Sequence, residues 1–146
     1  MKNKITIHSD GGARGNPGPA AIGVVIEGSN IGKKLYQEYI GKGTNNEAEY
    51  RALILGLKKV KQLLGSEKLR GMSIECYADS ELMVKQLNRQ YKVKEKDIQG
   101  FFVEISNLLI DLGTDVSFHH IEREKNAEAD MLVNQALDRE SSKLDL

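Results

Sequence analysis

The sequence predicts an α/β fold: a five-stranded mixed sheet, elements in the order βββαβααβα, with helices on both faces. Three observations carry this. Three strand-like segments with short links open the chain, apolar residues then recur at helical spacing in four stretches, and two further strand-like segments lie between those helices. Short links make the first three strands an antiparallel meander. Strands joined through helices pair in parallel by right-handed crossovers, which makes the sheet mixed.

Lys4-Ile5-Thr6-Ile7-His8 alternates and is β-branched, so it reads as the first strand, ending at Asp10-Gly11-Gly12. The loop Gly15-Asn16-Pro17-Gly18-Pro19 holds both prolines. Ala20 to Ile26 reads as the second strand and Lys34 to Ile40 as the third, with Gly28-Ser29-Asn30 turning between them. Beyond Gly43 the period changes: Ala48, Ala52, Leu55, Gly56, Val60, Leu63 and Leu64 share one helical face, with Asn46 as N-cap and Gly65 as stop. Met72 to Ala78 is the fourth strand. Asp79 and Ser80 open a second helix carrying Leu82, Met83 and Leu87, and a third runs through Ile98, Phe101, Phe102, Ile105, Leu108, Leu109 and Leu112. Val116 to Ile121 is the last strand, and Asn126 caps a final helix through Leu137.

A length of 146 residues fits one domain spanning 1–146, with a core at about 4–140 and a tail, Ser141 to Leu146, expected to fray. Such a chain buries roughly two thirds of its unfolded surface and needs no disulfide or structural metal to fold. Cys76 is the one cysteine, which excludes an internal bridge and a Cys-rich zinc module and makes a reducing, cytoplasmic setting the expectation. On a central strand, Cys76 reads as a small buried hydrophobe. No secretory h-region is visible, and the longest apolar stretch, Ala20 to Ile26, is too short to span a bilayer, so no membrane association is expected. Lys+Arg and Asp+Glu both number 21, and this neutral balance counts against a strongly basic nucleic-acid coat protein.

Four carboxylates occupy comparable places: Asp10 at the end of the first strand, Glu49 in the first turn of the first helix, Asp79 at a strand-to-helix junction, and Asp130 in the first turn of the last helix. In open α/β sheets, strand ends and the helix starts that follow form the functional rim. Each acid alone has a local explanation. Asp10 suits an Asx turn, Glu49 the capping partner of Asn46, Asp79 an N-cap, and Asp130 a helix N-terminus. Together they suit hard-cation binding with coordination sites left for water and phosphate. Two such ions about 3.5–4 Å apart activate water and stabilise the departing oxygen of a phosphodiester displacement. Zinc is disfavoured, because adjacent His119 and His120 on a strand face opposite sides. Ser9 and Ser80 lack a nucleophile-elbow context.

The segments Ser9-Asp10-Gly11-Gly12-Ala13-Arg14-Gly15-Asn16-Pro17-Gly18-Pro19, Thr44-Asn45-Asn46-Glu47-Ala48-Glu49-Tyr50-Arg51-Ala52, Tyr77-Ala78-Asp79-Ser80 and Asn126-Ala127-Glu128-Ala129-Asp130 resemble type 1 ribonuclease H. The resemblance runs from about Ile5 to Leu137 in the family's order. It implies the RNase H-like fold and a hydrolase that binds two Mg²⁺, or Mn²⁺, and cuts the RNA strand of an RNA/DNA hybrid, leaving 5′-phosphate and 3′-hydroxyl ends. By the match, Asp10, Glu49, Asp79 and Asp130 are the metal-binding catalytic residues. A monomer without an obligatory protein partner is expected. Alternatives on the same fold are a non-catalytic nucleic-acid-binding module and an integrase-like or resolvase-like DNA nuclease; fold alone does not choose among them.

Seeing RNA on one strand requires contacts to the 2′-hydroxyl across a wide minor groove. The Gly11 to Gly18 loop, lacking side chains at its glycines, suits close approach, and Asn16 both donates and accepts. In the resemblance Asn16, Asn45 and Asn46 contact the nucleic-acid backbones, while Thr44 and Lys42 resemble a pocket for a phosphate of the DNA strand. Lys85, Arg89, Lys92, Lys94 and Lys96 form a local basic patch with Glu95 as its one acid. This region is shorter than the tryptophan-bearing basic insertion of some family members, which predicts weaker binding with a shallower salt dependence. Near the last acid the family often places a histidine. His120 lies ten residues before Asp130, but Ile121-Glu122-Arg123-Glu124-Lys125-Asn126 resembles a subgroup that uses arginine instead. Arg123 is therefore the first auxiliary candidate and His120 the second. For His119 and His120 the plain strand reading puts one side chain in the packing and one in solvent.

Overall fold

The computed structural model describes residues 3–144. Strands β1 (Lys4–Ala13), β2 (Gly18–Gly28), β3 (Gly32–Gly43), β4 (Ser73–Ala78) and β5 (Asp115–His120) form one sheet in the order β3-β2-β1-β4-β5. The pairs β1–β2 and β2–β3 are antiparallel, and β1–β4 and β4–β5 parallel. Helices α1 (Asn45–Leu69), α2 (Glu81–Leu87), α3 (Lys96–Leu112) and α4 (Ala127–Leu144) complete the expected order, with a 3-10 turn at Arg123–Asn126 ahead of α4. Since β2 alone runs the other way, β1, β3, β4 and β5 all end at one edge. Whatever follows those strands gathers there.

Both faces of the sheet are covered. Ile5, Ile7, Val24, Ile26 and Ile74 pack in one cluster with Leu53, Leu57 and Val60 of α1 and Ile98, Ile105 and Leu112 of α3. On the opposite face Ala21 and Val25 meet Ala129, Leu132, Val133, Ala136 and Leu137 of α4. This two-sided burial is why Ala20 to Ile26 reads as a continuous apolar run instead of alternating. Each large aliphatic so buried stabilises the fold by about 1.5–3 kcal/mol. Cys76 belongs to the first cluster, and burial pushes its thiol well above the ordinary range.

The first strand outruns its expected end, because Asp10, Gly11 and Gly12 pair with Gly23, Ile22 and Ala21 of β2. The glycines there make room for helices and do not turn the chain. A Cβ on Gly11 would lie 2.2 Å from the Ala48 carbonyl carbon of α1, and one on Gly23 2.4 Å from the Ala129 oxygen of α4.

Local capping also corrects the sequence reading. Thr44, extended at φ −92° and ψ 163°, caps α1 by accepting from the Glu47 N–H at 3.1 Å, so Asn46 is not the cap. Gly65 does interrupt the helix, at φ 72°, but helical turns resume to Leu69. Asn126 is not a side-chain cap either: it is buried, and its Nδ2 donates to the Ser9 carbonyl at 2.9 Å, tying the entry to α4 onto β1. Helix α4 runs past Leu137 to Leu144, with the Ser142 hydroxyl donating back to the Asp138 carbonyl. The expected fraying of Ser141 to Leu146 is therefore replaced by helix through residue 144; residues 145 and 146 lie outside the described residues.

His119 and His120 are both exposed, against the expectation that one packs. The reason is that β5 is an edge strand, flanked by a neighbouring strand on one side alone. His119 instead stacks on Tyr77, ring centroids 5.1 Å apart, and shares a 2.8 Å hydrogen bond with the Ser117 hydroxyl.

Candidate acidic site

The four carboxylates arrive at the common edge for separate local reasons. Asp10 sits on β1 opposite Gly23, and Glu49 follows the α1 cap. Gly11 lets α1 close onto β1, which brings Glu49 beside Asp10. The capping partner of Thr44 is Glu47, leaving the Glu49 carboxylate uncommitted to the helix end. Similarly, Ser80 caps α2 by accepting from the Met83 N–H at 3.2 Å, so Asp79 is not spent as an N-cap. One carboxylate oxygen from each of Asp10, Glu49 and Asp79 lies within 4.8 Å of the other two. Asp130, in the first turn of α4, joins them in lining a cavity of about 470 Å³.

Burial makes this cluster costly as bare charge. Asp10 is 6% exposed and Glu49 8%. Desolvation, then the neighbouring Asp79 charge, pushes the Asp10 carboxyl up to about 7; a hydrogen bond with Glu49 opposes this, and Asp130 adds to the rise. Glu49 is also held well above the carboxylate range, first by burial and then by Asp10 and Asp79, with the Gly11 backbone N–H pulling it down. Its Oε2 is buried without a hydrogen-bond partner. Among the described residues no ion pair reaches any of the four acids. Converging hard oxygen donors, one orphaned and none neutralised by a protein cation, fit a divalent cation such as Mg²⁺.

Gly11, Asn45, Asn46 and Arg123 also line the cavity. Arg123 comes from the 3-10 turn ahead of α4. His120 does not line it; its charge acts on Glu81 of α2, helping to lower that carboxyl after the larger effect of Lys85. Gly11 contacts the cavity with its backbone, while the space left by its absent side chain is filled by α1. Asn16 and Asn45 lock together: the Asn16 Oδ1 accepts from the Asn45 N–H at 3.0 Å, and the Asn45 Oδ1 accepts from the Ala13 N–H at 2.9 Å. Thr44 and Lys42 stand just before α1, outside the cavity, with the Thr44 hydroxyl engaged in the cap. Lys85 pairs with Glu81 at 2.8 Å and lies 5.1 Å over the Tyr91 ring, so part of the basic patch is already partnered. Two polar residues of the cavity, Arg14 and Asn134, are not among the sequence candidates. Arg14 lies in the Asp10 to Pro19 segment as a cation among glycines; Asn134 carries no signal beyond its helical spacing from Asp130.

A family model described as reverse transcriptase-like matches residues 8–136. A bifunctional protein of Mycobacterium tuberculosis is 36% identical over 92% of this chain, which spans 36% of that protein's length. Ribonuclease HI of Haemophilus ducreyi is 33% identical over 81% of this chain and 74% of its own. Among solved structures, LC11-RNase H1 in complex with RNA/DNA hybrid superposes with a TM-score of 0.85 at 45% identity, covering 92% of this chain and 97% of that one. With the sheet order, the acidic edge and these likenesses in agreement, the chain belongs to the type 1 ribonuclease H family.

Proposed function

We propose that the chain hydrolyses the RNA strand of RNA/DNA hybrids at the acidic cavity, with two Mg²⁺ ions for which Mn²⁺ substitutes, leaving 5′-phosphate and 3′-hydroxyl ends. The observation that carries this is the meeting of Asp10, Glu49 and Asp79 within 4.8 Å, from three distant segments and beside Asp130. It is supported by a relative of 45% identity whose structure is a complex with RNA/DNA hybrid. Bound there, the cations supply an activated water and stabilise charge on the departing oxygen.

The protein's share is placement. Asp10, Glu49, Asp79 and Asp130 hold the cations, and their mutual repulsion when empty favours cation entry. The Asn16 and Asn45 carbonyl oxygens are turned inward to backbone N–H groups, so each amide offers only its NH₂ donors outward. Donors of this kind suit 2′-hydroxyl and phosphate oxygens. Arg123 lines the cavity as a permanent cation that steadies a phosphate or departing product without moving a proton. Lys42, exposed beside the α1 N-terminus, supplies charge for a phosphate of the DNA strand.

The test is incubation with end-labelled RNA/DNA, RNA/RNA and DNA/DNA duplexes, in Mg²⁺ and in chelator. Metal-dependent cutting confined to the RNA of the hybrid is expected. Cutting of DNA/DNA would favour the DNA-nuclease reading, and binding without cutting the non-catalytic module.

A further inference from the structure

Among the described residues, Arg14 is the one cation besides Arg123 that lines the acidic cavity. Its backbone is fixed: Arg14 N–H donates to the Pro19 carbonyl at 2.8 Å, directly after the Ala13 N–H that Asn45 holds. Its side chain is not committed to the fold in the same way. The guanidinium Nη2 lies 2.6 Å from the Asp138 Oδ1, in a pair with side chains 45% and 70% exposed. Such an exposed pair contributes little to stability, and a carboxylate presents to guanidinium the same two-oxygen face that a phosphate does.

The topology places the two arginines on either side of the acids. Along the edge where four strands end, Arg14 follows β1 on its β2 side, Asp10 lies on β1, Asp79 follows β4, and Arg123 follows β5. A polyanion laid across this edge meets cation, acid-bound metal and cation in turn. Asp138 lies eight residues beyond Asp130 on α4, about 12 Å along the helix, so the guanidinium it holds stands to one side of the acids.

We propose that Arg14 grips a backbone phosphate of the strand being cut, on the side of the acids opposite Arg123, and that Asp138 holds its guanidinium until that phosphate displaces the carboxylate. The assignment rests on the hybrid-nuclease reading above. Arg14 is a substrate-binding residue in it, and Asp138 a positioning one.

The experiment measures hybrid binding by fluorescence anisotropy in Ca²⁺, across a KCl series, for wild type, R14Q, R14K and D138N, alongside steady-state cleavage in Mg²⁺ and thermal melts. R14Q is expected to weaken binding about 5–10-fold near 0.1 M salt and to make the log Kd–log[salt] slope shallower by about 0.7–0.9, the signature of one lost phosphate contact. R14K should recover part of the loss, and the rise in KM should exceed the fall in kcat. D138N should bind at least as tightly as wild type, its competing carboxylate gone. A single neutral methylphosphonate walked along the RNA strand should weaken wild type at one position while leaving R14Q unaffected there.

R14Q with wild-type affinity and slope overturns the proposal, as does D138N weakening binding as much as R14Q, which would make the pair a structural tie. A methylphosphonate effect confined to the DNA strand overturns it too. In each case wild-type cleavage of the hybrid leaves the nuclease reading standing. A wild type that neither binds nor cuts hybrid overturns both.

Discussion

Replacing Asp10 by Asn removes one buried charge from a cluster that no ion pair among the described residues reaches, so it should abolish cleavage and yet stabilise the metal-free fold at alkaline pH. The folded-state carboxyl is raised to about 7 from an ordinary 3.8. A raised carboxyl keeps its proton in the folded state after the unfolded chain has released it, so stability falls as pH climbs through that window. Below pH 4 both states are protonated and the substitution is nearly neutral. Above pH 7 the full difference applies: at 1.36 kcal/mol per pH unit, the interval amounts to about 4 kcal/mol. Local relaxation and coupling to Glu49, which also ionises more easily once Asp10 is neutral, bring the expected gain to about 1–3 kcal/mol. For a chain of this length that is roughly 3–10 °C in Tm. The assay is thermal and urea unfolding of wild type and D10N in chelator from pH 4 to 9, with parallel hybrid-cleavage assays in Mg²⁺. Saturating Mg²⁺ should shrink or reverse the difference, since a cation that binds the folded wild type stabilises it by mass action. A difference that stays flat with pH, or a D10N protein less stable than wild type at pH 8.5, would refute the electrostatic reasoning. Wild-type turnover by D10N would refute the metal site itself.

Asn45→Asp keeps an oxygen for the Ala13 N–H but loses both donors, so it should hold its Tm within about 1 kcal/mol of stability while cleavage drops at least tenfold; Asn45→Ala, by contrast, should lower both. Gly11→Ala drives a methyl into the Ala48 backbone and should cost more than about 3 kcal/mol by denaturant melts, because neither strand nor helix can move away alone. Thr44→Ala should lose about 1 kcal/mol by removing the α1 cap, whereas Asn46→Ala should leave helix stability unchanged and act only on hybrid binding. Arg123→Ala should slow multiple turnover without adding or removing a pKa in the rate profile, and His120→Ala should stay near wild type in steady-state kinetics across pH; the reverse ranking would return the auxiliary role to the histidine.

Periodicity and punctuation in the sequence determine much of this protein's architecture. Element order, the meander, the parallel additions and the helices on both faces follow from spacing that the chain reads locally, because a strand or helix must bury one face and only certain periods allow it. The four acids were legible as well, since each sits inside a distinctive local motif. Individual side-chain assignments were not. Thr44 against Asn46 as cap depends on the angle at which the chain leaves β3, and Asn126 holds Ser9 only because α4 packs across β1, contacts spanning more than a hundred residues. Gly11 looked like turn chemistry and is instead the point where α1 lies on the sheet. The histidines looked half-packed and are exposed, since burial depends on which strand ends up at the edge. Arg14, 124 residues from Asp138 in sequence, acquires its partner and its place beside the acids only through the approach of α4. Local pattern reports what a residue's neighbours in sequence require of it; what a side chain faces is decided by long-range packing, which no local pattern encodes.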